Sequence, residues 1–176
     1  MTIAIESRGY ANPELLVSTG WLESHLHDPD IRIVDTDLPG EYPRTHIPSA
    51  VPVQDHYYKQ SNNVHIQDPV EFEQTMSSLG ISDSTLVVPY DSSGGLYATR
   101  LGWSLHYYGH GRVGVLDGGF PKWFSEGRPL SRENTVMPTG SFTSRRNPLV
   151  FASRDDVRIA LDDPDTILLD VRASDE

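Results

Sequence analysis

The stretch LVVPYDSSGGLYATRLGWSLHYY, residues 86–108, decides the fold of this chain. Its first three residues form a short apolar run, which is typical of a central strand buried on both faces. Small residues follow at 91–95, and apolar positions then recur at helical spacing as far as Tyr108. A strand, a small-residue loop and a helix in this order predict one unit of a parallel sheet. The loop amides and the helix dipole of such a unit point at the same place, so the loop is a candidate anion site.

Strands and helices alternate on both sides of this unit. Apolar runs predict further strands at 31–35, 50–53 and 113–116. Two helices have clear start signals, because Ser18 is a good N-cap residue and Asp68 stands directly before a proline. The alternation predicts an α/β fold of three layers, in which helices cover both faces of a parallel sheet.

The chain divides into four segments. Residues 1–14 show no periodicity, and we expect them to be a loose lead-in to a domain at 15–130. Residues 131–152 are rich in Pro, Ser, Thr, Arg and Asn, which is typical of an interdomain linker. Residues 153–176 then repeat the beginning of the domain: a capped helix, an Asp-Pro-Asp break and a strand recur after about 135 residues. This period predicts a duplicated domain whose second copy is cut short.

Composition narrows the possible functions. The chain has 25 acidic and 14 basic residues and a net charge of −11, so nucleic acid and anionic membranes are poor partners. No apolar run is long enough to cross a bilayer, and residues 1–17 lack the pattern of a signal peptide, so we expect a cytoplasmic protein. There is no cysteine, which excludes disulfides, thiolate metal sites and thiol catalysis within this chain.

Three short motifs have a recognisable pattern. The first reads Glu41-Tyr42-Pro43-Arg44-Thr45-His46-Ile47-Pro48-Ser49-Ala50, the second Leu116-Asp117-Gly118-Gly119-Phe120-Pro121-Lys122-Trp123, and the third Leu169-Asp170-Val171-Arg172. Together they resemble the N-terminal part of a tandem rhodanese, a thiosulfate or 3-mercaptopyruvate sulfurtransferase, over residues 15–176. In the first motif the family has glycines where Thr45 and Ser49 stand. The residues that this resemblance marks as structural are Glu41, His46, Pro48, Asp117, Gly118, Gly119, Trp123, Asp170 and Arg172.

The loop at 91–96 departs from the family pattern. Active members carry Cys-Arg-x-Gly-x-Arg there, whereas this chain has Asp91, Ser92, Ser93, Gly94, Gly95 and Leu96. By the resemblance, Asp91 stands at the position of the nucleophile, while Ser92 and Leu96 replace the two arginines. A carboxylate cannot accept a sulfane sulfur to form a persulfide. The loop is therefore interpreted as a degenerate active site, with no catalytic residue in this chain.

The resemblance implies a function for the complete protein. Such an enzyme moves sulfane sulfur from a small anion such as thiosulfate to a thiophilic acceptor such as cyanide. In tandem members the first domain is normally an inactive copy that packs against the second. We therefore expect this chain to be the non-catalytic part of a sulfurtransferase, whose partner is a missing C-terminal rhodanese domain and which needs no cofactor or metal.

Other functions remain open at this point. The chain could be a stand-alone inactive module that binds an anion or a protein through residues 91–96. His106 and His110 are four residues apart on a predicted helix and could share a metal, but no third ligand is evident. Ser92 or Ser93 could act as a hydrolytic nucleophile, although no Gly-x-Ser-x-Gly pattern surrounds them.

Overall fold

The computed structural model describes residues 4–53 and 66–171. The strands are β1 (Leu16–Val17), β2 (Ile31–Asp35), β3 (Val51–Pro52), β4 (Leu86–Tyr90) and β5 (Val115–Leu116). The helices are α1 (Thr19–Ser24), α2 (Pro69–Ser78), α3 (Leu96–Tyr107), α4 (Gly119–Ser125) and α5 (Arg154–Ala160). Three short 3₁₀ turns lie at Ile5–Ser7, Pro13–Leu15 and Pro148–Val150.

All strand pairs in the described residues are parallel. β2 lies between β3 and β4, and its register with β4 runs from Ile31 opposite Leu86 to Asp35 opposite Tyr90. β5 pairs with β1, and a single parallel bridge between Val87 and Val113 joins this pair to β4. The strand order is thus β3-β2-β4-β5-β1, with β4 in the centre, as its apolar sequence predicts.

Two apolar clusters separate the faces of the sheet. On one face, side chains such as Val34 and Val87 pack with Phe72 of α2 and Leu101 of α3. On the other face lie the alternate strand residues, together with Leu22 of α1 and Trp123 of α4. Helices therefore cover both faces, which confirms the predicted three-layer α/β fold with a parallel sheet.

Local signals explain where the helices begin and end. The Trp21 N–H donates to Ser18 Oγ at 3.2 Å, and the Glu71 N–H donates to Asp68 Oδ1 at 3.0 Å. Both caps satisfy a first-turn amide that has no partner within its helix. Gly80 follows α2 with a φ of +74°, a conformation that glycine adopts without steric strain.

The segment before α1 contributes more than its sequence indicates. β1 was not predicted, because a two-residue strand is too short to show a pattern. In the stretch expected to be a loose lead-in, Ile5 is buried and Arg8 Nη1 lies 2.9 Å from Asp117 Oδ2. Residues 4–8 therefore contact the domain.

The segment expected to be a linker returns over the domain as an extended strap, residues 131–147. Ser131 and His46 exchange a pair of backbone hydrogen bonds, each of 2.9 Å. Further along, the Gly140 N–H donates to Ser77 O and the Arg145 N–H to Tyr108 O, both at 2.8 Å. Phe142 is buried in the same apolar cluster as α2 and α3. The strap thus completes one outer layer of the domain.

The tail beyond the strap is exposed. α5 begins with a reciprocal capping box between Ser153 and Asp156, as its sequence predicts. The strand predicted after the Asp-Pro-Asp break is wrong as far as the chain is described, because residues 167–171 have no regular structure. Ile167 is 90% and Leu169 is 80% exposed, so the apolar run has found no sheet in the described chain with which to pair. Asp170 is exposed, and Arg172 lies outside the described residues.

Candidate active-site loop

The loop at 91–96 joins β4 to α3 at the carboxyl edge of the sheet, where open parallel sheets bind ligands. Gly94 and Gly95 have φ values of +73° and +97°, which favour glycine at both positions. Ser92, Ser93, Gly94 and Leu96 are exposed, whereas Asp91 is completely buried. The predicted order of strand, small-residue loop and helix is confirmed.

Four backbone amides converge on the Asp91 carboxylate. Ser93 and Gly95 donate their N–H groups to Oδ1 at 2.9 and 2.8 Å. Tyr97 and Ala98, in the first turn of α3, donate theirs to Oδ2 at 2.8 and 2.9 Å. The carboxylate also lies at the positive end of the α3 dipole. A carboxylate of the chain itself therefore occupies the point on which the loop amides converge.

The second glycine of the Asp-Gly-Gly motif explains how this loop is supported. Gly119 has a φ of +56°, and a side chain on it would place Cβ 2.4 Å from the backbone oxygen of Asp91. The same oxygen accepts the Phe120 N–H at 2.9 Å. The motif at 117–119 thus allows α4 to approach the loop closely, and its role here is structural.

Two further acids at the same edge contact the loop or its strand. Asp37 accepts both the Ser92 N–H at 2.9 Å and the Ser92 hydroxyl at 2.6 Å. Asp35, at the end of β2, accepts the Tyr90 hydroxyl at 2.7 Å and is 3% exposed. Burial raises the pKa of Asp35 to about 6, although the Tyr90 hydrogen bond opposes this shift. The loop therefore has acidic surroundings, which disfavour a small anionic substrate.

Sequence reasoning missed Asp35, Asp37 and Tyr90 as parts of this site. A signal for the two acids was available, because Asp35 ends and Asp37 closely follows β2, a strand that neighbours β4. Tyr90 gave no such signal, since an aromatic residue in a central strand is typical of a core.

The other motif residues lie in structural positions. His46 is completely buried and stacks on Tyr42, with its ring nitrogens 2.8 and 3.0 Å from two backbone carbonyls. Trp123 is also buried, and its Nε1 donates to Pro129 O at 2.8 Å. Pro48 is half-buried in a turn, and Glu41 is exposed and paired with Arg44 at 3.0 Å. These contacts position the turn after β2 and the end of α4 without reaching the loop at 91–96.

Asp117 serves as an anchor between segments. Its Oδ2 lies 2.6 Å from Lys122 Nζ and 2.9 Å from Arg8 Nη1. Burial alone would raise the pKa of Asp117, but the hydrogen bonds and charges of Lys122 and Arg8 outweigh it and hold the pKa below its usual value. Asp117 thus ties the N-terminal segment to α4.

The alternative sites gain no support from the geometry. Among the described residues, no group of three or more His, Cys, Asp or Glu side chains is arranged to hold a metal ion. His110 is buried with Nε2 3.0 Å from Thr85 O, and burial lowers its pKa. The Ser92 hydroxyl donates to Asp37 Oδ2, and no hydrogen bond joins it to a histidine in the described residues, so the histidine base common in serine hydrolases is not in place. No helix in the described ranges is long and apolar enough to span a membrane.

Comparison with known proteins gives relatives over almost the whole chain. The sulfur carrier protein TtuD of Thermus thermophilus is 37% identical over 176 residues, covering 96% of this chain and 61% of TtuD. A Mycobacterium tuberculosis protein with the provisional name thiosulfate sulfurtransferase is 34% identical, covering 94% of this chain and 60% of that protein. The chain thus spans about 60% of the length of these relatives.

Solved structures and a family model agree with these relatives. The 3-mercaptopyruvate sulfotransferase SseA from Escherichia coli superposes with a TM-score of 0.74 at 27% identity, covering 83% of this chain and 61% of SseA. The family model that describes the rhodanese-like domain matches residues 18–126. These limits coincide with the helices and strands from the Ser18 cap to the end of α4. The chain therefore belongs to the rhodanese-like domain family.

Proposed function

We propose that this chain is the N-terminal, non-catalytic portion of a thiosulfate sulfurtransferase. The complete enzyme would move sulfane sulfur from thiosulfate to a thiophilic acceptor such as cyanide, and its nucleophile would be a cysteine in a second rhodanese-like domain. The sulfurtransferase relatives, of which this chain spans about 60%, support a role in sulfur transfer. The repeat that begins at Ser153 supports a second domain.

The observation that carries the proposal is the Asp91 carboxylate on four backbone amides. In a persulfide mechanism these amides would stabilise a thiolate, which attacks the outer sulfur of thiosulfate while sulfite departs. Here the same donors are already satisfied by a group that cannot form a persulfide. Asp91 therefore preserves the conformation of the loop and leaves the loop unable to form a persulfide.

A stand-alone module that binds an anion through this loop is the less favoured alternative. The four amides have no remaining capacity for an external anion while Asp91 occupies them. Asp37, which bonds Ser92, would also repel the anion: two charges at about 4 Å and an effective dielectric of about 20 interact by about 4 kcal/mol. A protein partner remains compatible with the exposed Leu38 and Leu96 near the loop.

Sulfur transfer by the purified chain is the direct test. We expect no thiocyanate from thiosulfate and cyanide, and no gain of a sulfur atom in the intact mass after incubation with thiosulfate. Asp91→Cys alone should remain inactive, because Ser92 and Leu96 leave the arginine positions without charge. The triple variant Asp91→Cys, Ser92→Arg, Leu96→Arg restores the family pattern and should acquire a persulfide. Turnover by the unmodified chain would contradict the proposal.

The second-domain part of the proposal needs a separate measurement. The native protein, isolated from its source with an antibody against the domain at 18–126, should have a mass well above 19.6 kDa. Alkylation and peptide mapping should then locate a reactive cysteine beyond residue 176. A native mass equal to that of this chain would favour the stand-alone module instead.

A further inference from the structure

The amino edge of the sheet, opposite the loop at 91–96, holds a cavity of about 540 Å³. Four parts of the chain line it: residues 26–33 at the start of β2, Ser49, the turn between α2 and β4, and residues 137–140 of the strap. Ligand-binding cavities in proteins have volumes of about 300–1,000 Å³. The space is therefore large enough for a small organic molecule.

Arg32 is the buried charged residue in the lining of this cavity. It is 8% exposed and lines the cavity from β2. Its Nε and Nη2 atoms both donate to the Gly80 carbonyl, at 3.4 and 3.2 Å. Among the described residues, no carboxylate forms an ion pair with it, and its Nη1 protons have no hydrogen-bond partner.

A buried guanidinium without a carboxylate is an unusual arrangement. Charged groups are seldom fully buried unless they are paired, because removing them from water is unfavourable by several kcal/mol. The Gly80 carbonyl, at the negative end of the α2 dipole, compensates the charge in part. Burial also lowers the pKa of Arg32, which is the expected effect of incomplete compensation. The edge of the guanidinium that faces away from Gly80 remains available to an anion.

Two glycines allow the segments around Arg32 to pack closely together. A side chain on Gly80 would place Cβ 2.9 Å from Met137 Cβ and 3.2 Å from Arg32 Nε. A side chain on Gly140 would place Cβ 2.2 Å from the backbone oxygen of Ile81. The strap, the end of α2 and Arg32 therefore meet closely beside the cavity.

The remaining lining limits the charge of the ligand. Asp28 and Asp30 also line the cavity, and their carboxylates disfavour a polyanion. Leu26, Met137 and Pro138 provide apolar surface. A ligand that suits both conditions has one anionic group for the guanidinium and a short uncharged apolar body. Arginine presents pairs of N–H groups in a planar fork that matches the geometry of a carboxylate.

We propose that this cavity binds a small organic monocarboxylate, whose carboxylate contacts the edge of the Arg32 guanidinium that does not contact Gly80. The apolar body of the ligand lies against Met137 and Pro138. The site is at the opposite edge of the sheet from the loop at 91–96. It does not depend on sulfur chemistry and does not require a second domain.

Titration of the chain with butyrate, followed by amide NMR, tests this proposal. With chloride as the balancing salt at constant ionic strength, saturable shifts are expected at Gly80, Ser82 and Thr139. Arg32→Met should weaken binding at least tenfold. Arg44→Met is the matched control, because the Arg44 side chain is 73% exposed and lies away from the cavity, and it should bind butyrate as the unmodified chain does. Sulfate, a dianion, should bind at least tenfold more weakly than butyrate.

A second variant keeps the test informative if Arg32→Met fails to fold. Ser84 lines the cavity, is exposed and has no side-chain hydrogen bond in the described residues, so Ser84→Trp should fill the space and leave the fold intact. It should abolish the butyrate shifts. The proposal is overturned if butyrate causes no saturable shifts, if either variant binds it unchanged, or if sulfate binds equally well.

Discussion

Asp91 and Arg32 are two buried charged residues at opposite edges of one sheet, and they differ in how fully the surrounding residues satisfy their hydrogen-bonding groups. Asp91 is completely buried and accepts four backbone N–H groups, two on each oxygen. Arg32 is 8% exposed and, within the described part of the chain, donates to a single carbonyl. Asp91 lies in the loop that joins β4 to α3, and Arg32 lies beside a cavity at the opposite edge of the sheet.

By this comparison, Asp91 is a buried charge whose hydrogen bonds all stabilise the fold, whereas Arg32 is a buried charge with hydrogen-bond donors left for a ligand. Hydrogen bonds to a charged group contribute about 1.5–3 kcal/mol each when they are well formed, and Asp91 has no lone-pair direction left without a donor. Arg32 keeps donors that none of the described residues uses. A buried charge with spare hydrogen-bonding capacity beside a cavity is therefore the better indicator of a ligand.

The largest effect is expected for Asp91→Ala. The substitution leaves four backbone N–H groups without their acceptor. Water can replace the carboxylate more readily at the N–H of the exposed Ser93 than at the N–H of the buried Ala98. We expect the free energy of unfolding to fall by about 4 kcal/mol, measured by urea denaturation at pH 7. Ser93→Ala, in the same loop but with an exposed side chain, should change it by less than about 0.5 kcal/mol. Equal effects for the two variants would show that the amides do not depend on the carboxylate.

Asp35 offers a pH-dependent test at the same edge as Asp91. Burial raises the pKa of this carboxyl to about 6, above its ordinary value of 3.8 in the unfolded chain. The folded state therefore binds a proton between these values, and the stability that this proton contributes is present below about pH 4 and lost as pH rises through 6. Because asparagine does not ionise, Asp35→Asn should gain stability relative to the unmodified chain between pH 4 and 8, by at most about 3 kcal/mol.

Urea unfolding across this pH range measures the effect, and Tyr90→Phe sharpens it. The Tyr90 hydroxyl stabilises the ionised form of Asp35, so its removal should raise the pKa of Asp35 further. The loss of stability should then extend to higher pH. A constant difference between Asp35→Asn and the unmodified chain at every pH would mean that Asp35 does not titrate in this range.

Arg32→Met tests the other half of the comparison. Methionine has a similar length and no charge, and replacing a poorly compensated buried charge with an apolar side chain is often neutral or stabilising. We expect the free energy of unfolding to change by no more than about 1 kcal/mol, far less than for Asp91→Ala. A loss as large as that of Asp91→Ala would mean that the contact with Gly80 is essential to the fold and that Arg32 has no capacity to spare.

The sequence predicts the Asp91 edge much better than the Arg32 edge. The turn at 91–95, the β2 strand and the caps at Ser18 and Asp68 were predicted because each depends on neighbours within a few residues. The family resemblance, which the match at 18–126 confirms, also placed attention on this loop. The degenerate nature of the loop remains a prediction.

The Arg32 edge could not be predicted, since it depends on contacts between distant segments. An arginine in a strand with alternating pattern is typical of a solvent-exposed position, and its burial here follows from Gly80 and the strap. The strap itself was expected to be a linker, because its composition is polar. Its hydrogen bonds, such as the pair between Ser131 and His46, join residues that are far apart in the sequence. No short sequence pattern indicates contacts between segments that are this far apart in the chain.

The smallest effect is expected at Ser49, on the rim of the Arg32 cavity. Ser49 has a φ of +65°, and it stands where the family motif has glycine. The left-handed conformation costs a non-glycine residue about 1 kcal/mol, whereas glycine adopts it without strain but with greater flexibility when unfolded. Glycine also loses the contact of Ser49 Oγ with His27 Nδ1 at 3.1 Å, which is exposed and weak. We therefore expect Ser49→Gly to raise the free energy of unfolding by about 0.5 kcal/mol in urea denaturation. Ser49→Ala keeps the strain and loses the same contact, so it should not stabilise the chain, and a gain for alanine equal to that for glycine would contradict the backbone explanation.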